Sequence, residues 1–214
     1  MEFNIDNWLR VIVEKLKDEF YFRLLFVGLQ GSYNRGEATD NSDIDLVVIL
    51  DELTFQDLKT YRSIIDEMPF KEKACGFVSG KKELQNWSKS DLFQFFYDTR
   101  PLVGKLDDII QPPSRADIKN SIKVSSENLY HSAVHSFVHS NNYVEDLQNL
   151  YKMTFFILQA QYFVKNNIYI PTKAELYEKL DGLDKEILEI CINKNINKYE
   201  NLYEKLIYWC KTKI

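Results

Sequence analysis

The stretch Leu29-Gln30-Gly31-Ser32-Tyr33-Asn34-Arg35-Gly36-Glu37-Ala38-Thr39-Asp40-Asn41-Ser42-Asp43-Ile44-Asp45-Leu46-Val47-Val48-Ile49-Leu50 decides the reading of this chain. Its second half, from Asp43 to Leu50, is the clearest β signal in the sequence, an apolar run entered through two acids. Side chains two apart on a strand share a face, so Asp43 and Asp45 point the same way while Ile44 and Leu46 can face a core. Two carboxylates held together at the mouth of a buried strand repel, unless a cation or a set of donors neutralises them. Mg²⁺ suits such a pair, because it takes a few carboxylate oxygens and fills its shell with water and substrate phosphate. The first half supplies an anion site. Gly31-Ser32 closes an apolar run from Arg23 to Leu29, glycine lets backbone approach a phosphate, and the serine adds a hydroxyl donor. Tyr33-Asn34-Arg35 begins a short helical turn, on which Arg35 either reaches a phosphate or stands as an ordinary surface arginine.

Outward from this stretch, the N-terminal side reads as an amphipathic helix capped near Asp6, with Trp8, Leu9, Ile12, Leu16 and Phe20 on one face. On the C-terminal side Thr54 opens a helix with Asp57 as the capping-box acid. A third strand comes next at 72–78, then a helical stretch at 84–97 and an extended piece at 101–104. Strands alternating with helices imply an α/β-like sheet. Gln111-Pro112-Pro113-Ser114 then breaks the pattern, since paired prolines stop regular structure and Ser114 can cap the next helix. Beyond it, helical periodicity runs over 115–139, 143–166, 172–194 and 197–212. The expected fold class is therefore α+β, a sheet domain over 1–112 followed by an all-α four-helix bundle over 113–214.

The 214 residues carry a formal net charge of −5, with a pI near 5.3. A protein that grips a nucleic-acid backbone needs a basic face, so this balance makes nucleic acid an unlikely partner and favours small molecules. No run of about 18 apolar residues suggests a membrane span, and the acidic N-terminal helix lacks the pattern of a signal peptide. Cys75, Cys191 and Cys210 are odd in number and lack metal-site spacing, which predicts buried reduced thiols in a cytoplasmic protein.

Leu29-Gln30-Gly31-Ser32 followed by Asp43-Ile44-Asp45-Leu46 resembles the signature of the polymerase-β-type nucleotidyltransferase superfamily, and GSYNRGEATDNSDIDLVVIL reads like its small bacterial members. The motif covers roughly residues 26–50. The helical half resembles, by architecture alone, the bundle of aminoglycoside and related antibiotic nucleotidyltransferases. The resemblance implies a nucleoside triphosphate donor such as ATP, and one or two Mg²⁺ ions on Asp43 and Asp45. It places the outer phosphates on the Gly31 amide and the Ser32 hydroxyl. An acceptor hydroxyl would attack the α-phosphorus and release pyrophosphate. The acceptor it suggests is a small, antibiotic-like molecule held between the two domains, the chain's acidity suits a cationic one, and relatives often assemble as homodimers. Relatives that modify proteins or tRNA ends are the runner-up, and a degenerate member that binds without turnover is a third reading. The family adds a third carboxylate, for which Glu72 and Asp98 are the candidates and Asp91 a weaker one. A ribonuclease-toxin activity of the bundle is set aside, because no arginine follows Arg115 and none precedes a histidine at the needed range.

All three histidines, His131, His135 and His139, fall at spacing four on one predicted helix. Leu129, Ala133 and Phe137 are the expected core side of that helix. The histidines then form a polar stripe facing solvent or the interdomain cleft, with a metal or anion face as the other reading. Most of the bundle's aromatics, Tyr130, Tyr151, Phe155, Phe156, Tyr162, Phe163 and Trp209, are expected in the core.

Overall fold

A computed structural model describes residues 3–193 and 197–214. The chain divides into two compact units, Met1–Pro112 and Pro113–Ile214. In the first, α1 (Ile5–Phe20) leads into β1 (Leu24–Gln30), α2 (Gly31–Arg35) and β2 (Ile44–Leu50). After them come α3 (Phe55–Asp66), β3 (Ala74–Gly80), α4 (Lys81–Gln85), α5 (Leu92–Tyr97) and β4 (Arg100–Val103). The four strands form one mixed sheet in the order β3-β2-β1-β4. β1 runs antiparallel to both β2 and β4, and β2 runs parallel to β3.

β2 reads as a continuous apolar run because both of its faces are covered. Ile44, Leu46, Val48 and Leu50 join the α1 residues Trp8, Leu9, Ile12 and Leu16 in one core. Val47 and Ile49 join Phe26, Leu84, Leu92 and Leu106 in another. Asp45 belongs by alternation to this second series, at the strand end where the apolar residues stop.

Several boundaries differ from those the sequence suggests. The cap of α1 is Asn4, whose side chain accepts the Asn7 amide at 2.9 Å, instead of Asp6. The expected helix over 84–97 is two pieces: the Asn86 side chain donates to the Lys82 carbonyl at 2.8 Å and closes α4, and a short 3₁₀ turn, Lys89–Asp91, precedes α5. β3 starts at Ala74, so Glu72 lies in the 3₁₀ turn Lys71–Lys73 ahead of the strand. Thr54 and Asp57 do form a reciprocal capping box on α3.

The second unit contains α6 (Arg115–His139), α7 (Tyr143–Asn166), α8 (Lys173–Tyr177), α9 (Gly182–Asn193) and α10 (Tyr199–Lys211). Ser114 caps α6 through a second capping box with Asp117. The helix expected over 172–194 is broken before Gly182, which takes a left-handed φ of 52°; its expected last residue, 194, lies outside the described residues. α6 packs on α7 and α10, and α7 on α9, around a core that includes Tyr151, Phe155, Leu158 and Trp209. The expectation that Phe137 faces the core fails, and Phe156 is an exception among the aromatics mostly expected there. Phe137 is 41% exposed and Phe156 40%. In place of Phe137, Ser136 turns inward on α6, donating to Asp146 at 2.7 Å and lying 2.6 Å from the Tyr203 hydroxyl. Cys191 and Cys210 are buried, but Cys75 is exposed; none of the three is in a disulfide. Among the described residues no helix is long and apolar enough to cross a membrane.

Candidate active site

The site grows from the end of β1. Gln30 is the register partner of Asp45 on β2, so the turn after Gln30 starts beside the Asp45 carboxylate. Gly31 makes the fit, with a left-handed φ of 71°. A Cβ there would stand 1.9 Å from Asp45 Oδ2, well inside van der Waals contact, so only glycine lets the strand carboxylate and the turn share this space. Gly36, also left-handed with φ 70°, ends α2. The loop then returns through a turn in which the Ser42 amide donates to the Thr39 carbonyl at 2.9 Å and the Thr39 amide to the Ser42 hydroxyl at 2.9 Å. That turn delivers Asp43 to the mouth of β2.

Asp43 is exposed and Asp45 half-buried. Burial pushes the Asp45 carboxyl above its usual range, the neighbouring Asp43 charge pushes it further, and Arg35 opposes both. Arg35 thus offsets the two effects on Asp45 only in part.

Asp98 is the sequence candidate that the structure brings in. It is buried at the C-terminal end of α5, and Oδ2 accepts the Gly31 amide at 3.2 Å. The same oxygen receives a short ion pair from Arg35, and the Asp98 carbonyl accepts the Asn34 side chain at 2.7 Å. Arg35 also donates to Glu37 at 3.2 Å, so its guanidinium is bound by two carboxylates and is no plain surface arginine. Glu72 and Asp91 are exposed in the turns before β3 and α5. The β3 partner of Asp45 is Cys75. The Ser32 hydroxyl makes no hydrogen bond among the described residues. Gln30, read in the sequence only as part of the motif, and Thr99 tie the turn to α5: Gln30 donates to the Thr99 hydroxyl at 2.6 Å and to the Phe95 carbonyl at 3.2 Å. Only the position of Gln30 at a strand end could have hinted at this.

Among the described residues no three acidic, histidine or cysteine side chains gather as a metal cage. Two hard carboxylates, one of them lying against a glycine that puts no side chain in its way, nevertheless fit Mg²⁺, whose remaining shell comes from water and phosphate.

Three comparisons bear on this geometry. A Methanocaldococcus jannaschii chain named "Putative protein adenylyltransferase" is 35% identical over 85 residues, covering 38% of this chain and 80% of that one. The crystal structure of spectinomycin adenyltransferase AAD(9) from Enterococcus faecialis with ATP and spectinomycin superposes with a TM-score of 0.61 at 15% identity. That overlap covers 98% of this chain and 99% of that one, a likeness of fold. A toxin–antitoxin structure with AMP-PNP overlaps 60% of this chain and 93% of that one, at 22% identity and a TM-score of 0.33, too low to carry weight. The nucleotidyltransferase domain family itself matches residues 9–128, more than half of the sequence and all of the sheet from β1 to β4. The chain belongs to the nucleotidyltransferase domain family.

Proposed function

We propose that the protein transfers a nucleoside monophosphate, from ATP or another nucleoside triphosphate, to the hydroxyl of a small molecule, releasing pyrophosphate. The observation that carries this reading is the Asp45 carboxylate seated against Gly31, with Asp43 beside it and the Ser32 hydroxyl unspent. Asp43 and Asp45 would hold Mg²⁺, one or two ions. Bound there, the metal would neutralise charge building on the attacking and departing oxygens. Ser32 would donate to an outer phosphate, and Gly31 would let that phosphate approach the backbone. The Gly31 amide now points at Asp98, so its own contact with phosphate requires that long bond to open. Arg35 serves the phosphate through Asp98 and the turn more readily than by direct reach. The chemistry asks for positioning and charge more than for covalent help, which is what this turn supplies.

A small-molecule acceptor draws support from the fold likeness to AAD(9), which spans both units, and a net charge of −5 suits a cationic one. A free exposed thiol at Cys75 fits a reducing cytoplasm. A protein hydroxyl is the second reading, favoured by the 35% identity to the archaeal chain.

Calorimetry with each nucleoside triphosphate and Mg²⁺, repeated on Asp43→Asn/Asp45→Asn, tests the donor site. Metal-dependent binding that the double variant loses supports it, whereas wild-type protein that binds none of them leaves the family fold without its chemistry. Transfer of label from the α-phosphate, offered aminocyclitols or polypeptides, then separates the acceptors.

A further inference from the structure

All three histidines of the chain lie on α6, in the unit that does not contain Asp43 and Asp45. All are exposed. The rings of His135 and His139 are 4.9 Å apart between centroids, and those of His131 and His135 are 6.2 Å apart. The helix cannot rotate to hide them. Leu129 and Ala133 are fully buried on its other side, and Ser136, next to His135, is fixed by Asp146 and Tyr203. Two imidazoles one turn apart on a held helix have little left to order except their own side-chain torsions, which lowers the cost of clasping a shared ion.

We propose that His135 and His139 form a two-imidazole site for a divalent transition cation of the Zn²⁺, Ni²⁺ or Cu²⁺ class. Metal–nitrogen bonds of about 2.0–2.1 Å allow two donors around one ion to stand roughly 3 Å apart, a spacing that small ring rotations reach from the present geometry. The donor chemistry selects the metal: imidazole suits borderline cations, with Cu²⁺ held most tightly, and not the Mg²⁺ that suits the carboxylate pair. With no third protein ligand gathered nearby among the described residues, the ion keeps open positions for water or for a donor from another molecule. His131, a turn away at the longer spacing, is not a required ligand.

The test is calorimetric titration of the full, tag-free chain with ZnCl₂, NiCl₂ and CuCl₂ in excess Mg²⁺. It is run on wild type, on Asp43→Asn/Asp45→Asn, and on His131→Gln, His135→Gln and His139→Gln, with thermal melts to show that each variant folds. Wild type and the aspartate variant should bind one equivalent. His135→Gln and His139→Gln should each weaken binding by about tenfold or more, and His131→Gln should change it little. No binding to wild type, or binding that His135→Gln/His139→Gln leaves intact, overturns the assignment.

Discussion

A Cβ on Gly31 would lie 1.9 Å from Oδ2 of Asp45, in a residue whose φ is already 71°. Gly31→Ala therefore carries two penalties. The left-handed backbone costs about 1–2 kcal/mol with a side chain, and the methyl group displaces the carboxylate. Gly36 separates the two effects, because its φ is 70° and an added Cβ would meet nothing within 4 Å. Both alanine variants should lose stability in urea denaturation, Gly31→Ala the more, since only it adds the clash with Asp45. Only Gly31→Ala should also abolish metal-dependent nucleotide binding; equal binding by the two variants would show that the Gly31–Asp45 contact is irrelevant to the site.

Arg35 and Asp98 pair with only 8% of each side chain exposed, and Asp98 also receives the Gly31 amide. Arg35→Gln takes the guanidinium from a buried carboxylate and should destabilise by about 3 kcal/mol, whereas Asp98→Asn leaves Arg35 on Glu37 and should cost less. The double variant should cost clearly less than the sum, because neither buried charge then lacks its partner. Denaturant melts of the four proteins give the coupling. Simple additivity would mean the pair does not hold the turn as a unit.

Asp57 shows the fold's acid sensitivity. Its carboxylate accepts two hydrogen bonds from Arg23, at 2.8 and 3.0 Å, and caps α3 at Thr54. The Arg23 guanidinium, with Thr54, holds Asp57 far below the usual carboxylate range. A depressed pKa means the unfolded chain binds the proton first, so this contribution is complete above about pH 4 and is lost as pH falls below it. Asp57→Ala should cost about 2 kcal/mol at neutral pH and flatten the acid limb of a stability–pH curve. An unchanged acid limb would assign that limb to other carboxylates.

The sequence announces what repeats locally and hides what depends on distant partners. Asp43-Ile44-Asp45 and Gly31-Ser32 are legible because period two and glycine chemistry act within a few residues, and α6 and α7 are legible from their long periodicity and the Ser114 cap. Asp98 can be no more than one candidate among several, since its role comes from the β1–β4 pairing, in which Leu29 meets Arg100. Phe137 misleads for a related reason. Ser136 takes the inward position once Asp146 and Tyr203 satisfy its hydroxyl, and those partners sit on α7 and α10. Cys75 reads as buried from its residue type, yet β3 at that position is open.

Asp43 and Asp45 set stability against function. Burial and the Asp43 charge both disfavour the ionised Asp45 carboxylate, so near neutral pH the ligand-free fold carries a repulsion that Asp43→Asn would relieve. Without ligand, that variant should melt at a slightly higher temperature than wild type. With Mg²⁺ and a nucleoside triphosphate in excess the order should reverse, because a ligand that binds only the native state stabilises it by about 2.7 kcal/mol at a hundred times its dissociation constant. Wild type gains that increment, and Asp43→Asn, with half of the metal pair gone, does not. Paired thermal melts with and without Mg²⁺-nucleotide check both halves. A variant that is less stable than wild type without ligand would show that Asp43 is held by contacts that outweigh its repulsion of Asp45. If instead the variant gained the full ligand increment, the pair would not be the seat of nucleotide binding.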